Sequence, residues 1–302
     1  MFPVFINTLA GSLLTICVTV VATLGITLIF KTSTTTNFAQ GTLAALGCYV
    51  TTYFVKAWGG NFYVGIALGI VVGILSGLFI DIVIFRKGRN VNAIGKQIIT
   101  MGIVSAIAGA IPLIFGAVEA PKLPPFLEGN LVFTMNGTDI VFTKHSLVCV
   151  AITVVVVVLI FLLLKYSKWG LGVRTTASNE TTAELMGVNT HAVTAITWAL
   201  AAALGVLAAI MLAGGTGTLS VYFMTKFQVN AFLAGILGGF STFYGPIIGA
   251  VLIPLLINTI GFFGNFYIVF ADWNEVMTYG VMLVAILFKP EGLFGKKIAK
   301  KV

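Results

Sequence analysis

The sequence predicts an all-α integral membrane protein of about eight transmembrane helices, with broken or re-entrant helices and one small external β-hairpin. Three observations carry this reading. Hydrophobic residues make up 59% of the chain and charged residues 9%, where soluble domains run at about 25% charged. Apolar runs of span length alternate with polar stretches, and mean hydropathy is +1.08. Each polar stretch is shorter than the roughly 50 residues of a small soluble domain, so 1–302 reads as one transmembrane domain. Lastly, one polar connection holds two β-rich runs joined by Asn136-Gly137.

In chain order, the first span is expected over about 7–30. The polar break KTSTTTNFAQG follows, then a second apolar run over 42–55. A break this short leaves polar backbone at membrane depth, tolerable only where it is buried in protein or lines a cavity. Asn37, Phe38, Gln40 and Gly41 are therefore candidates to line a solute path. The competing role is to satisfy the backbone of the break itself. The third span, 62–85, carries glycine at 65, 69, 73 and 77, a face for close helix packing. The fourth is expected over 98–118.

The connection 119–144 is the longest polar one. Its second half reads as an external hairpin over 131–143, because Asn-Gly suits a two-residue type I′ turn in which both central residues need positive φ. The sequon at Asn136 is already explained by that turn. The fifth and sixth spans are expected over 146–166 and 192–212, the sixth broken by Gly214, Gly215 and Gly217. Region 227–263 reads as two short or re-entrant helices meeting near Gly238-Gly239 and Gly245-Pro246, since glycine frees the backbone and proline removes a donor. The groups freed there need partners in protein or in a wet cavity, which adds Gly238 and Gly239 to the candidate path. The last span covers 276–288. No internal sequence repeat is convincing, although the two broken regions sit in opposite halves, as transporters arrange them.

Charge placement orients the chain. Thirteen of the 17 basic residues fall in one set of connections, from Lys31 through Arg86, Lys96 and Arg174 to Lys301; the other set holds Lys56, Lys122, Lys144 and Lys226. The positive-inside rule puts the first set in the cytoplasm and the N-terminus outside. The net charge of +8 is thus matched to topology and anionic membrane lipid, not to nucleic acid. Cys17, Cys48 and Cys149 are scattered in apolar runs, with neither metal nor disulfide spacing. The first Lys is at 31, so no basic region precedes the first apolar run and no cleaved signal is expected.

Between the fifth and sixth spans lies a polar island, 168–191. Ser178 and Asn179 are N-cap candidates there, Glu180 falls in the first turn and Gly187 at the end. A short helix over 179–186 is expected on the cytoplasmic surface, with Leu185 and Met186 as an apolar anchor. A plain loop with a turn is the alternative.

Several chemistries find no support. Gly95-Lys96 looks like the end of a phosphate-binding loop, but Asn90 stands where its first glycine belongs and Gln97 where the Mg²⁺-binding hydroxyl belongs. Of the nine acids only Asp81 falls inside a span, near its cytoplasmic end; ion-driven carriers keep such charges at mid-membrane. No nucleophile–base pair is visible, so no catalytic residues are assigned. A secondary transporter or a passive channel stays open on the residues alone.

Five stretches resemble one family. These are Gly25 to Phe30 with Asn37-Phe38-Ala39-Gln40-Gly41, where the family has His at the Gln40 position; Leu46-Gly47-Cys48-Tyr49; Gly170 to Thr175 with Asn179, Ala183 and Gly187; Ala234 to Gly239 with Tyr244-Gly245; and Phe288 to Gly295. Their order and spacing resemble the LivH-type membrane permease subunit of branched-chain amino-acid ABC importers, over nearly the whole chain. The resemblance implies a multi-pass protein of a bacterial-type plasma (inner) membrane, with no cofactor in this chain. It implies a second related permease subunit, two cytoplasmic ATP-binding subunits that use the ATP, and an extracytoplasmic solute-binding protein. It implies that the island couples to an ATPase through Gly172, Arg174, Asn179, Ala183 and Gly187, with Leu185 the anchor, and that the cargo is an amino acid. Permeases for nucleosides, urea or sugars are the alternative within the same fold.

Overall fold

The structure is a computed structural model that describes residues 2–33, 35–88, 91–116, 120–135, 137–264 and 273–295. α1 (Phe2–Gly11) and α2 (Leu13–Ser33) form one kinked span. At the kink the Ser12 hydroxyl donates to the Thr8 carbonyl (2.9 Å) and Thr15 donates to the Ser12 carbonyl (2.8 Å), side-chain bonding of the kind that bends helices. α3 (Gln40–Lys56) is short; α4 (Phe62–Phe79) continues through a π-helical turn, Ile80–Phe85, and α5 (Ala93–Phe115) follows. Asn61 caps α4 and Asn92 caps α5, each by accepting backbone N–H bonds through Oδ1.

The hairpin is present as β1 (Asn130–Met135) and β2 (Thr138–Thr143), antiparallel, with Met135 opposite Thr138. Asn136 lies outside the described residues; Gly137 has φ +75°, as the turn requires. The Val141 N–H donates to Asn7 Oδ1 (3.0 Å), tying the hairpin to α1. α6 (Lys144–Tyr166) is the fifth expected span. α7 (Lys168–Ser178), α8 (Glu180–Leu185), α9 (Thr190–Thr216), α10 (Thr225–Gly238), α11 (Tyr244–Gly264) and α12 (Asn274–Phe288) complete the chain. Among the described residues six helices are long and apolar enough to cross a membrane, and α12 is a shorter apolar one.

Three expectations need correction. The sixth span does not break at Gly214 and Gly215: both stay helical, and the stop is Gly217 at φ +66°. The absent side chains at 214 and 215 instead admit His145 and Leu14. Region 227–263 does break between Gly238-Gly239 and Gly245-Pro246, as expected, but it holds one short helix and one full span, since α11 runs 21 residues. Pro246 falls in the first turn of α11, where no intrahelical donor is lost. The island contains a second helix, α7, which its polar composition concealed. Asp272, on which the orientation argument leaned, lies outside the described residues. Lys226 near the start of α10 pairs with Glu275 at the start of α12, however, so the chain does reverse between them.

Two halves share one packing scheme. α2 packs on α9, antiparallel at the centre; α4 lies on α9 as α11 lies on α2; α3 packs on α4 and α9 as α10 packs on α11 and α2. The repeat is in element order and packing and runs in opposite senses, so no sequence match betrays it. The glycine face of α4 works as expected. Gly69 meets Gly47 backbone on α3, and Gly73 and Gly77 meet Val206, Trp198 and Ala202 on α9.

Candidate functional site

The break before α3, residues 35–39, meets the start of α10, which itself follows a second break over 217–224. Gln228 in the first turn of α10 clasps the other break: its Oε1 accepts from the Gly41 N–H (2.6 Å) and its Nε2 donates to the Phe38 carbonyl (2.7 Å). Asn37 and Gln40 are buried, and each amide both accepts and donates a hydrogen bond. Asn37 Oδ1 accepts from the Ala39 N–H (2.9 Å), and its Nδ2 donates to Gln40 Oε1 (3.2 Å). Gln40 Nε2 donates to the Ala201 carbonyl of α9 (2.6 Å). A Cβ at Gly25 or Gly205 would stand 3.0 or 2.7 Å from that nitrogen, so these glycines open the slot through which Gln40 reaches α9. The Phe38 N–H donates to Thr100 Oγ1 on α5 (3.2 Å), and the Phe38 ring lies 5.4 Å from that of Phe232. The break before α3 is thus sealed by side chains, which is what low-dielectric surroundings demand of freed backbone groups.

Asn37, Phe38, Gln40 and Gly41 therefore do come together, with Gln228, Ala201 and Thr100 as partners the sequence reading missed. The available signal was a lone glutamine in the apolar run 227–238. Gly238 and Gly239 stand apart, at the far end of α10. Gly238 backs onto the Gly245 backbone, and Gly239 at φ +91° turns the chain. The carbonyls left over at Leu237 and Gly238 accept from the N–H groups of Leu293 (2.7 Å) and Phe294 (3.1 Å). So the stretch after α12, Lys289 to Gly295, is a strap that caps α10. Lys31 Nζ donates to the Ser241 carbonyl beside it (2.6 Å).

The same end of the bundle carries α7 and α8. Gly170 lies against the Leu163 and Leu164 backbone and Gly172 against Val193, which seats α7 on α6 and α9. Asn179 caps α8 by accepting from the Thr182 N–H (3.0 Å), and Gly187 ends it at φ +83°. The Thr190 hydroxyl donates to Glu184 Oε1 (2.5 Å), tying α8 to the start of α9. Arg174 is exposed. Ala183 faces its own chain at 4% exposure, while Leu185 and Met186 stand out at 83% and 79%. A hollow of about 260 Å³ opens beside Thr175, Asn179, Ala183 and Met186.

Comparison with known proteins agrees with this architecture. The family described as "Branched-chain amino acid transport system / permease component" matches residues 8–287. The high-affinity branched-chain amino acid transport system permease protein BraD of Pseudomonas aeruginosa is 28% identical, over 92% of each chain. The probable branched-chain amino acid transport permease protein LivH of Methanocaldococcus jannaschii is 25% identical, over 95% of this chain and 91% of that one. LivH of Escherichia coli is 24% identical over 92% of each. Among solved structures, a chain of PsaBC from Streptococcus pneumoniae, in complex with Fab, shares the fold at TM-score 0.55 and 18% identity, covering 96% of this chain and 97% of that one.

Proposed function

The chain belongs to the branched-chain amino-acid transport permease family, and from that premise we propose that it is the transmembrane subunit of a binding-protein-dependent importer that moves branched-chain or other amino acids into the cytoplasm. The observation that carries the mechanism is α8: a capped surface helix with an exposed Leu185-Met186 pair beside a hollow. Bare apolar residues on a polar helix suit a groove in a partner. The partner is an ATP-binding subunit, two per complex, each taking one α8; Arg174 lies on the adjoining exposed face. Force on α8 passes to α7 and to the start of α9, which it is tied to through Glu184 and Thr190. A second, related permease completes the pathway, and a solute-binding protein docks at the hairpin end.

The hairpin end is read as external and the α7–α8 end as cytoplasmic, in a plasma membrane of bacterial type. This agrees with Lys165, Lys168, Arg174 and Lys289 at one end and Lys122 and Lys144 at the other. The path runs past the break before α3, where Asn37, Phe38, Gln40 and Gly41 meet Gln228 of α10, toward the turn at Gly238 and Gly239. Neutral amide groups there suit a zwitterion that passes without being held tightly. The test is purification of the tagged permease from its native membrane. Two ATP-binding subunits and a second permease should co-purify, and the cognate binding protein should bind leucine, isoleucine or valine. A permease that purifies alone overturns the mechanism; a binding protein that selects a nucleoside, urea or a sugar overturns the cargo.

A further inference from the structure

A gap of about 50 Å³ lies at the foot of α8, where the end of α2, the π-helical turn and the starts of α5, α8 and α9 converge. Asp81, Arg86, Lys96, Glu180, His191 and Thr194 are among its lining residues. We propose that Asp81 and Arg86 pass the motion of α8 to α5, and through α5 to the break at 35–39; this deepens the functional reading above and rests on it. Neither residue lies on the candidate path, so both act as positioning residues.

Asp81 is 3% exposed, and its Oδ2 makes no hydrogen bond. Arg86 Nε stands 3.8 Å from that oxygen, beyond hydrogen-bond reach, on a side chain that is 39% exposed. A buried carboxylate oxygen without a hydrogen bond is costly. Closure of Arg86 across the gap removes that cost, so the joint has a second arrangement at hand. The pair sits in a π-helical turn, where the Arg86 N–H donates to the Asp81 carbonyl (3.0 Å). A π turn carries an extra residue relative to an α turn, and such turns are frequent at functional sites. Arg86 Nη2 also donates to the His191 carbonyl at the start of α9 (3.5 Å). Among the lining residues named, two acids balance two bases, a set that ties elements together without an added ion.

The joint is continuous with the candidate path. On one side Glu180, the first residue of α8, lines the gap. On the other, Lys96 of α5 lines it, and the next residue, Gln97, donates through Nε2 to Thr36 Oγ1 (2.8 Å). One turn further on, Thr100 Oγ1 accepts from the Phe38 N–H (3.2 Å). So α5 grips the break at 35–39 at two points directly above the joint. Only Thr100 and Ile111 of α5 are buried, whereas α2 and α9 are buried along most of their length. A span seated this lightly is the one that follows a shift at its foot. A contiguous set of contacts is necessary for such coupling but does not demonstrate it, which makes coupling the quantity to measure.

The test compares leucine taken up per ATP hydrolysed, in proteoliposomes holding the complete complex and its binding protein. Asp81→Asn and Arg86→Gln should each assemble with the ATP-binding subunits and hydrolyse ATP within twofold of wild type. Leucine per ATP should fall at least fivefold in each, and the double variant should fall no further than either single one. Asp81→Glu keeps the charge, and the gap admits its extra methylene, so it should stay within twofold of wild type. An Asp81→Asn ratio within twofold of wild type overturns the inference, as does a loss that Asp81→Glu shares in full or one that multiplies in the double variant. A drop in the amount of assembled complex with an unchanged ratio also overturns it, in favour of a purely structural pair. If Asp81→Asn does not assemble, Arg86→Gln, at a half-exposed side chain, decides alone by the same ratio. A wild-type complex whose uptake ignores ATP sinks the functional reading and this joint with it, a result distinct from a wild-type ratio in the variants.

Discussion

Gln228→Leu removes the clasp between α10 and the break before α3. The substitution is close in volume, so its effect comes from two hydrogen bonds. The Gly41 N–H and the Phe38 carbonyl, now satisfied at 2.6 and 2.7 Å, lose their partner in the interior of the bundle. Each backbone group left unsatisfied costs about 1–3 kcal/mol, so the variant should lose about 2–6 kcal/mol. Gln228→Glu is the control. It keeps an acceptor for the Gly41 N–H but sets a carboxylate against the Phe38 carbonyl, and should lose at least as much. Denaturant titration of the purified protein in mixed micelles reads the loss, and hydrogen exchange at the Gly41 amide locates it. A Gln228→Leu chain within about 0.5 kcal/mol of wild type, the spread of neutral surface changes, with the Gly41 amide still protected, would refute the account of the clasp.

Other outcomes follow from the same geometry. Leu185→Asp with Met186→Asp touches two exposed side chains, so the permease should insert and keep its stability within about 0.5 kcal/mol, while co-purification with ATP-binding subunits is lost. Gly238→Ala would place a Cβ 1.9 Å from the Gly245 carbonyl oxygen, whereas a Cβ at Gly102 meets nothing within 4 Å. The first should cost about 1–3 kcal/mol through overpacking and the second should not weaken the isolated chain, in the same titration. Cysteines placed singly at Lys226 and Glu275 should both react with an impermeant thiol reagent added outside intact cells, because the ion pair holds them at one end; reaction of one alone would break the assigned topology.

Patterns local in sequence were legible. The spacing of glycines 65, 69, 73 and 77 announced a packing face, Asn-Gly announced the hairpin, and Asn179 with Gly187 marked the two ends of α8. What stayed hidden depends on distant partners. Asn37 and Gln40 were recognisable as polar groups at a break, but the residues they meet lie as far off as Ala201, and Gln228 is 187 positions from Gly41. Helix α7 was missed because its buried face is made of Gly170, Gly172, Val173 and Thr176, small or polar residues that give no apolar stripe. The glycines at 214 and 215 read as a break because composition does not show that His145 and Leu14 pack where their side chains would be. The strap on α10 could not be foreseen either, since Leu237 and Leu293 are neighbours only in space.

The central claim is that this chain is a passage driven by ATP hydrolysed on other subunits through α8. The most direct measurement is labelled leucine uptake into proteoliposomes holding the complete complex, with the binding protein added on one side and ATP on the other. Uptake should require both, should stop with a non-hydrolysable ATP analogue, and should be lost in the Leu185→Asp, Met186→Asp complex. Uptake that persists without ATP and collapses when an imposed ion gradient is dissipated would contradict the account and make the chain an ion-coupled carrier.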